Sequence, residues 1–435
     1  MFPRKPSLVV ALLPLYAVVF GLLGLGTGIQ IGRRSGSKEP VAKVGDALDR
    51  IQERWYGTVS SDVLLDAAVK GMASKLDPYC EYYTAQDYKD FEEQHMKGQF
   101  GGVGIVVGSD ADTGYMTVET PVEDSPAFAA DILPGDQIRE VDGASIKDLP
   151  LQDVVRKIKG VPGTSVTLTM ARKGRDPFKV TLTRQIIVVK AVKPKMLEDG
   201  VGYIRISDFT EMMPQFDAAA KDLAGQGMKA LVVDLRFNGG GLLRECVFLA
   251  DRFLDDGLIV TTRGKTPGDV REESAKPGDT LPPYPLVVLV NGSTASASEV
   301  FAGAMKDRKR GVLVGEKTFG KGSVQTPFTL EDGSHLKLTT ARYFTPNGTS
   351  VHREEGKKEY GLEPDFLVEM SNDEYAKLMR VWNNERVAKG EKPAPPEGFK
   401  DHQLEAGLEV LRARLQNREP KVEARVLKKD KPSEN

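Results

Sequence analysis

"YPLVVLVNGSTASASEVFAG", residues 284–303, runs an apolar stretch straight into a polar turn and then into a pattern with helical spacing. A short apolar run bounded by turn residues reads as a buried strand, and the Ser/Thr cluster behind it as the start of a helix. The same grammar continues on both sides. "VGYIRIS" (201–207), "ALVVDLR" (230–236), "LIVTTRG" (258–264) and "GVLVGE" (311–316) read as strands. Helical patterns lie around 213–225, 241–254 and 298–306. This alternation predicts an α/β core with a layered sheet. The Pro/Gly-rich segment "GKTPGDVREESAKPGDTLPP" (264–283) reads as a polar loop.

Towards the N-terminus the texture changes. Residues 98 to about 185 read as β-rich, with strands at 103–107, 115–119, 137–141, 165–172 and 178–184, a short helix from Ser125 and a helix near 151–159. Residues 41–98 carry apolar residues at helical spacing (Val44, Leu48, Ile51, Trp55; Val63, Leu64, Ala67, Met72, Leu76), with Asp62 as the expected N-cap of a second helix. "LDPY" (76–79) ends that helix, because the residue before proline avoids the helical region; a third helix is expected over 85–95. Beyond 372 the chain is helical and charged, with "EKPAPPEG" (391–398) as a linker and "REPKVEARVLKKDKPSEN" (418–435) as a disordered tail.

At the other end, Arg4 and Lys5 precede an apolar stretch from Leu8 to Ile31. That is longer than the roughly 7–15 residues of a signal-peptide core and sufficient to span a bilayer. It reads as a retained membrane anchor in preference to a cleaved signal peptide. The rest of the chain is therefore expected to be exported, periplasmic or otherwise extracytoplasmic, and held at the inner membrane. The 435 residues exceed one ordinary core. The resulting division is 1–40 anchor and linker, 41–97 helical domain, 98–187 β-rich domain, 188–370 α/β core, 371–418 helical segment and 419–435 tail. A net charge of −2 gives no reason to expect a nucleic acid partner. Cys80 and Cys246 fit neither a metal-ligand spacing nor a disulfide framework, and read as core residues.

The Ser-rich turn poses a chemical question. The four histidines (His95, His335, His352, His402) are all far from it in sequence. Ser293, Ser296 or Ser298 would need another base, and Lys321 in "KTFGKGSVQT", flanked by Gly320 and Gly322, is the candidate. A lysine of ordinary pKa, about 10.4, is almost wholly protonated at neutral pH. Burial can lower that by about 3 units at a cost of roughly 4 kcal/mol, so a Ser–Lys dyad requires a desolvated site. Gln325 can orient the amine without adding charge. "VVDLRFNGGGLL" (232–243), a strand ending in glycines before a helix, offers backbone N–H groups for an oxyanion.

In order and wording these motifs resemble the C-terminal processing peptidases, tail-specific serine proteases that carry a PDZ domain. "GGVGIVV" (101–107) with "DSPAFAADILPGDQIREVDG" (124–143) resembles the PDZ domain. "DLRFNGGGLL", "STASASEVFAGAMKD", "GEKTFGKGSVQ" and "RYFTPNG…GLEPD" resemble the protease core. The resemblance implies Ser296 as nucleophile, Lys321 as general base and Gln325 as the residue positioning it. The oxyanion donors would be the N–H of Ala297 and that of Gly240 or Gly241. Asp307 reads as structural. Two departures stand out: Gly239 where the family has proline, and Cys80 where many members have serine, the latter taken as a position of the helical domain.

A PDZ domain binds an extended C-terminal tail as an added strand, its carboxylate held by a Gly-rich loop. Here the expected loop is Gly101-Gly102-Val103-Gly104 followed by the strand from Ile105, with Val154, Val155 and Ile158 of the 151–159 helix facing the groove or the core. The expected fold class is multidomain α+β: N-terminal helices, a PDZ-type β-rich domain, a layered α/β protease core and C-terminal helices. The implied partners are protein substrates recognised by their tails, an activating adaptor and a second copy of the chain docked through 41–95. The chemistry uses no metal or other cofactor. The alternatives are a catalytically inactive PDZ scaffold on the same core and an acyl-CoA-type fold without protease activity. Intact Ser296, Lys321 and Gln325 weigh against the first, and the tail-binding segment against the second.

Overall fold

The computed structural model describes residues 38–427 except 111–112, 123, 173, 189 and 386–395. The apolar stretch expected to form the anchor, most of the linker and the last eight residues lie outside the described residues. Among the described residues no helix is long and apolar enough to cross a membrane.

The described residues divide into two compact units, one ending at Gly71 and the other beginning at Met72. The first contains α1 (Lys38–Arg54) and most of α2 (Ser61–Ala73). α2 begins one residue before the expected cap: Ser60, not Asp62, precedes the first turn, and its Oγ accepts the Val63 N–H at 3.4 Å. The apolar stripe of α1 (Val41, Val44, Ile51) is substantially exposed.

The second unit begins earlier than the boundary at 97 that the sequence suggested. Residues 81–83 form β1 (Glu81–Tyr83), which pairs antiparallel with β18 (His335–Phe344) in register Glu81↔Lys337. α3 (Ala85–Phe91) and a π-helical turn (Glu92–Met96) follow, and the Tyr88 ring stacks on His335. A three-residue strand is too short to show a period of two, and its partner lies some 250 residues away, so neither local signal was available.

β2 (Gln99–Gly102) pairs with β9 (Gln185–Val188). Between them lies a domain whose sheet runs β3 (Ile105–Ser109), β4 (Met116–Pro121), β5 (Gln137–Val141), β7 (Ser165–Arg172), β8 (Arg175–Thr183), with β6 (Ala144–Ser145) on β5. Helices α4 (Pro126–Ala129), capped by Ser125, and α5 (Leu151–Ile158) cover it. Its core gathers Val103, Val118, Ile138, Ile146, Val154, Leu168 and Met170.

The α/β layer is a six-stranded sheet in order β10 (Val192–Met196), β11 (Val201–Ile206), β12 (Ala230–Asp234), β15 (Leu286–Val290), β16 (Val312–Gly315), β19 (Phe366–Leu367). It is parallel except for β10. The period of two sorts its side chains. Leu231, Val233, Leu286, Val288 and Val290 face a cluster with α6 (Met213–Gly225), α7 (Leu243–Asp251) and α8 (Ala297–Asp307). Ala230, Val232, Val287 and Leu289 face Ala406, Val410 and Leu411 of α10 (His402–Leu415). Burial on both faces is why these strands read as continuous apolar runs. α9 (Asn372–Glu385) precedes α10.

A second sheet runs β1, β18, β13 (Leu258–Gly264), β14 (Val270–Ser274), with β17 (Ser323–Thr329) also on β18. β14 corrects the expectation of a featureless loop over 264–283. All five of its residues are exposed, so no alternation marks it; Asp269 closes the hairpin by accepting the Thr266 N–H at 3.0 Å. The expected tail is likewise partly structured. Arg425 bridges to Val368 and its guanidinium meets the Glu374 carboxylate at 2.8 Å, a partner that composition alone does not reveal.

Candidate functional site

The turn between β15 and α8 is tightly specified. Asn291 Oδ1 accepts the N–H groups of Phe237 and Ser293, and Thr294 Oγ1 donates to the Leu235 carbonyl at 2.9 Å. Ser296, the residue before α8, has φ +56°, a left-handed conformation that a residue with a Cβ adopts only under constraint. A strained strand-to-helix turn is the device that projects a nucleophile hydroxyl at a helix N-terminus.

Glu299 and Tyr343 supply the constraint. Glu299 is fully buried in the first turn of α8; its Oε2 accepts the N–H of Ser296 at 3.0 Å and that of Lys321 at 2.8 Å. Its Oε1 accepts the Gly320 N–H at 2.8 Å and the Thr318 hydroxyl at 2.6 Å. Burial pushes its pKa up, opposed by these hydrogen bonds. From the other side the Tyr343 hydroxyl meets the carbonyls of Ser296, at 2.9 Å, and of Lys321. One carboxylate and one phenol therefore hold the backbones of residues 25 apart in the chain. Sequence reading did not single out either residue, although Ser296-x-x-Glu299 carries the capping-box pattern.

A cavity of about 420 Å³ opens beside this junction. Ser296, Ala297, Lys321, Gln325, Gly239, Gly240 and Gly241 all line it. Of the other two serines, Ser298 is buried with its hydroxyl donated to the Asn238 carbonyl, and Ser293 is exposed on the turn. Desolvation lowers the pKa of Lys321, with the neighbouring charge of Lys337 adding to it and Asp77 and Glu299 opposing it. Gln325 donates its amide hydrogens to Ser323 Oγ at 2.9 Å and Thr339 Oγ1 at 3.2 Å, which leaves Oε1 as the end available to an amine.

The glycine turn after β12 approaches the serine closely. Gly240 has φ +107°, and a Cβ there would lie 2.7 Å from Ser296 Cβ and 3.0 Å from the Ala297 nitrogen. Its own N–H donates to Asn238 Oδ1 at 2.9 Å, so it is committed within the turn and the expectation of Gly240 as an oxyanion donor passes to Gly241. Gly239, at the family's proline position, has open space where a Cβ would be and no positive φ. Behind the turn Arg236, fully buried, pairs with Asp234 at 2.6 Å and Asp401 at 2.8 Å. Asp307, expected to be structural, accepts the Asn347 N–H at 3.0 Å.

The cavity also takes in Asp208, Phe91, Met96 and Lys337. Burial raises the Asp208 carboxyl to about 6, opposed by the Phe209 N–H. Cys80 is not a remote helical position: its Sγ accepts the Thr339 N–H of β18 at 3.3 Å, placing it against the sheet that carries Gln325.

The comparisons agree with this architecture. Residues 200–368 match peptidase family S41, 117–172 match a PDZ domain, and 29–87 match the N-terminal domain of the activating protease CtpB. The carboxy-terminal-processing protease of Bartonella bacilliformis is 37% identical over 375 residues, covering 85% of this chain and 84% of that one. The chain belongs to peptidase family S41. Another S41-type relative, the carboxy-terminal processing protease CtpA of Bacillus subtilis, is 33% identical over 83% of this chain and 77% of its own. The solved photosystem II D1 C-terminal processing protease shares 31% identity, with a TM-score of 0.44 over 74% of this chain and 86% of its own. This S41 peptidase is thus a serine-type C-terminal processing protease with a PDZ domain.

The PDZ residues lie apart from the cavity. Gly101 and Gly102, expected in a carboxylate loop, are instead in β2, paired with Ile186 and Gln185. That leaves Val103, Gly104 and Ile105. Gly104 has φ +75° and packs where a Cβ would fall 2.2 Å from Ser125 Cβ. Val154 and Ile158 go to the core, and Val155 is half-buried.

Proposed function

We propose that this chain is an endopeptidase that cleaves exported proteins at or near their C-terminal tails through a Ser296–Lys321 dyad. The observation that carries the reading is the cavity in which a strained serine, a desolvated lysine, Gln325 and the glycine turn are all brought together. Ser296 Oγ attacks the scissile carbonyl while neutral Lys321 Nζ takes its proton. The oxyanion is met by the N–H of Ala297 and that of Gly241. The C–N bond then breaks, the Lys321 ammonium protonates the leaving amine, and water, deprotonated by Lys321, hydrolyses the ester. Gln325 Oε1 orients the amine.

The PDZ domain selects the tail. β3 is the terminal strand of its sheet, and the carbonyls of Val103 and Gly104 are already taken by Ala127 and by Val122 and Ser125. A tail strand adds along β3 beside Val155, with its carboxylate at the turn before Ile105, and its arrival gates the cavity. Export and anchoring through 8–31, an activating adaptor, and a homodimer through the exposed stripe of α1 belong to the same proposal.

The test is cleavage of an unfolded protein with an apolar tail by the parent, Ser296→Ala and Lys321→Ala. Only the parent should cleave, and activity in Ser296→Ala rejects the dyad. In the Ser296→Ala background a tail peptide with a free carboxylate should bind at least about tenfold tighter than its amide; equal binding rejects the tail-capture reading.

A further inference from the structure

We propose that the turn Asp77–Cys80 is part of the catalytic apparatus, with Tyr79 a positioning residue for Lys321. This rests on the Ser296–Lys321 reading. The turn is built locally: Pro78 prevents helix continuation, and Asp77 Oδ1 accepts the N–H of Tyr79 at 2.8 Å and of Cys80 at 2.9 Å, closing the chain on itself. It is then fixed to β18, through the Thr339 N–H on Cys80 Sγ and through the β1 pairing that follows. The half-buried Tyr79 ring comes to rest with its centroid 4.7 Å from Lys321 Nζ.

A second path leads to Gln325. Gln325 Nε2 donates to Thr339 Oγ1, 3.2 Å away, and to Ser323 Oγ, 2.9 Å away. Thr339 is the same residue whose N–H meets Cys80 Sγ, so the turn and Gln325 share one strand of the sheet.

Four groups on three other elements govern Lys321. Asp77 and Glu299 favour its charged form, Lys337 opposes it, and the Tyr79 ring acts in two senses. Its face stabilises an ammonium, while its bulk keeps water from the nitrogen. Lys337 is itself held by Glu81 Oε2 at 2.9 Å and the Tyr83 hydroxyl at 2.8 Å, again from this segment. The two senses of the ring separate by substitution. Tyr79→Ala admits water and raises the Lys321 pKa; Tyr79→Leu keeps water out but loses the π face, and lowers it.

The experiment reads Lys321 directly. In the full chain carrying Ser296→Ala, acetylation of Lys321 by acetic anhydride is followed against pH by mass spectrometry of its peptide. The midpoint should rise by about one unit in Tyr79→Ala, which is tenfold less neutral amine at pH 7, and fall below the parental value in Tyr79→Leu. With Ser296 restored, Tyr79→Ala should lose about tenfold in kcat/KM at pH 7 and regain it by pH 10, whereas Tyr79→Phe tracks the parent. Midpoints unchanged in both variants overturn the proposal, whatever happens to stability. Cleavage by Ser296→Ala or Lys321→Ala is the distinct result that instead removes the dyad beneath it.

Discussion

Replacing Glu299 by glutamine tests how the nucleophile and base are held, and the structure sets the size of the effect. All four partners of this carboxylate are donors: the N–H groups of Ser296, Lys321 and Gly320 and the Thr318 hydroxyl. Glutamine has one oxygen. Its best orientation keeps that oxygen on Ser296 and Lys321 and turns the NH2 to Thr318, whose hydroxyl can accept. The Gly320 N–H is then left facing a donor in a buried site, costing about 1–3 kcal/mol. The two retained bonds lose their charge assistance, roughly 1 kcal/mol each, offset in part because a neutral amide is easier to bury than a carboxylate. The sum is about 2–4 kcal/mol, concentrated on the loop that presents Lys321. If the loop must be paid back into place in each turnover, kcat falls about 30- to 1,000-fold. Initial rates on an unfolded reporter, with thermal unfolding of the same samples, separate local from global loss. Parental kcat and parental melting temperature in Glu299→Gln would refute the reasoning.

Three other outcomes follow from the same site and its surroundings. Because burial lowers the Lys321 pKa, the unfolded chain holds its proton more tightly, and the parent gains stability as pH rises from the folded value to the ordinary lysine value. Lys321→Met should therefore be inactive yet more stable at pH 7, with the gap closing towards pH 10; a constant gap across that range argues that Lys321 is solvated. Asp208, raised to about 6, has the opposite slope: its folded state prefers the proton, so stability falls as pH climbs through 6. Asp208→Asn should match the parent near pH 4 and exceed it at pH 8 by on the order of 1 kcal/mol after allowing for partial exposure, as read by denaturant titration at both values. Asp401→Ala leaves the buried Arg236 with Asp234 as its one carboxylate, beside the neutral Gln403 Oε1 at 3.2 Å, and should destabilise by about 3–5 kcal/mol; a loss under 1 kcal/mol would mean that water replaces the carboxylate.

Much of this architecture is legible in the chain because burial on both faces of the sheet leaves unbroken apolar strands, and because glycine and serine punctuate the turns between them. Ser296, Lys321, Gln325 and Gly241, far apart in the chain, line one cavity. What was not legible depends on pairing across long sequence distances. β14 is exposed on every residue, so no alternation marks it. β1 is three residues long, and its reason to be a strand is the edge of β18. Arg425 looks like tail composition until Glu374 comes alongside. Gly240 stands at a donor position in the glycine run, but Asn238 Oδ1 occupies its N–H, a contact between residues two apart that no periodicity encodes.

The boundary of the catalytic unit is the sharpest consequence of this. Read from sequence, residues 41–97 form one helical domain, and a chain starting at residue 98 would keep every motif of the PDZ domain and the protease core. In the structure such a chain lacks Phe91 and Met96 from the cavity wall, the Tyr79 ring from Lys321, and the Glu81 and Tyr83 partners of Lys337. It also bares the edge of β18 along Leu336 and its neighbours, an open edge of the kind that pairs with other chains. Water then reaches Lys321 from the emptied side, the amine moves back towards its ordinary pKa, and the freed Lys337 adds a second unpaired cation to the cavity. These last two effects oppose each other on the Lys321 pKa, but whatever their balance the loss of Phe91 and Met96 opens the cavity wall. The shortened chain should therefore have a lower kcat/KM at every pH and a stronger tendency to associate, measured by peptide hydrolysis and light scattering side by side. Parental kcat/KM in a monodisperse chain starting at residue 98 would return residues 72–97 to the helical domain and remove them from the active site.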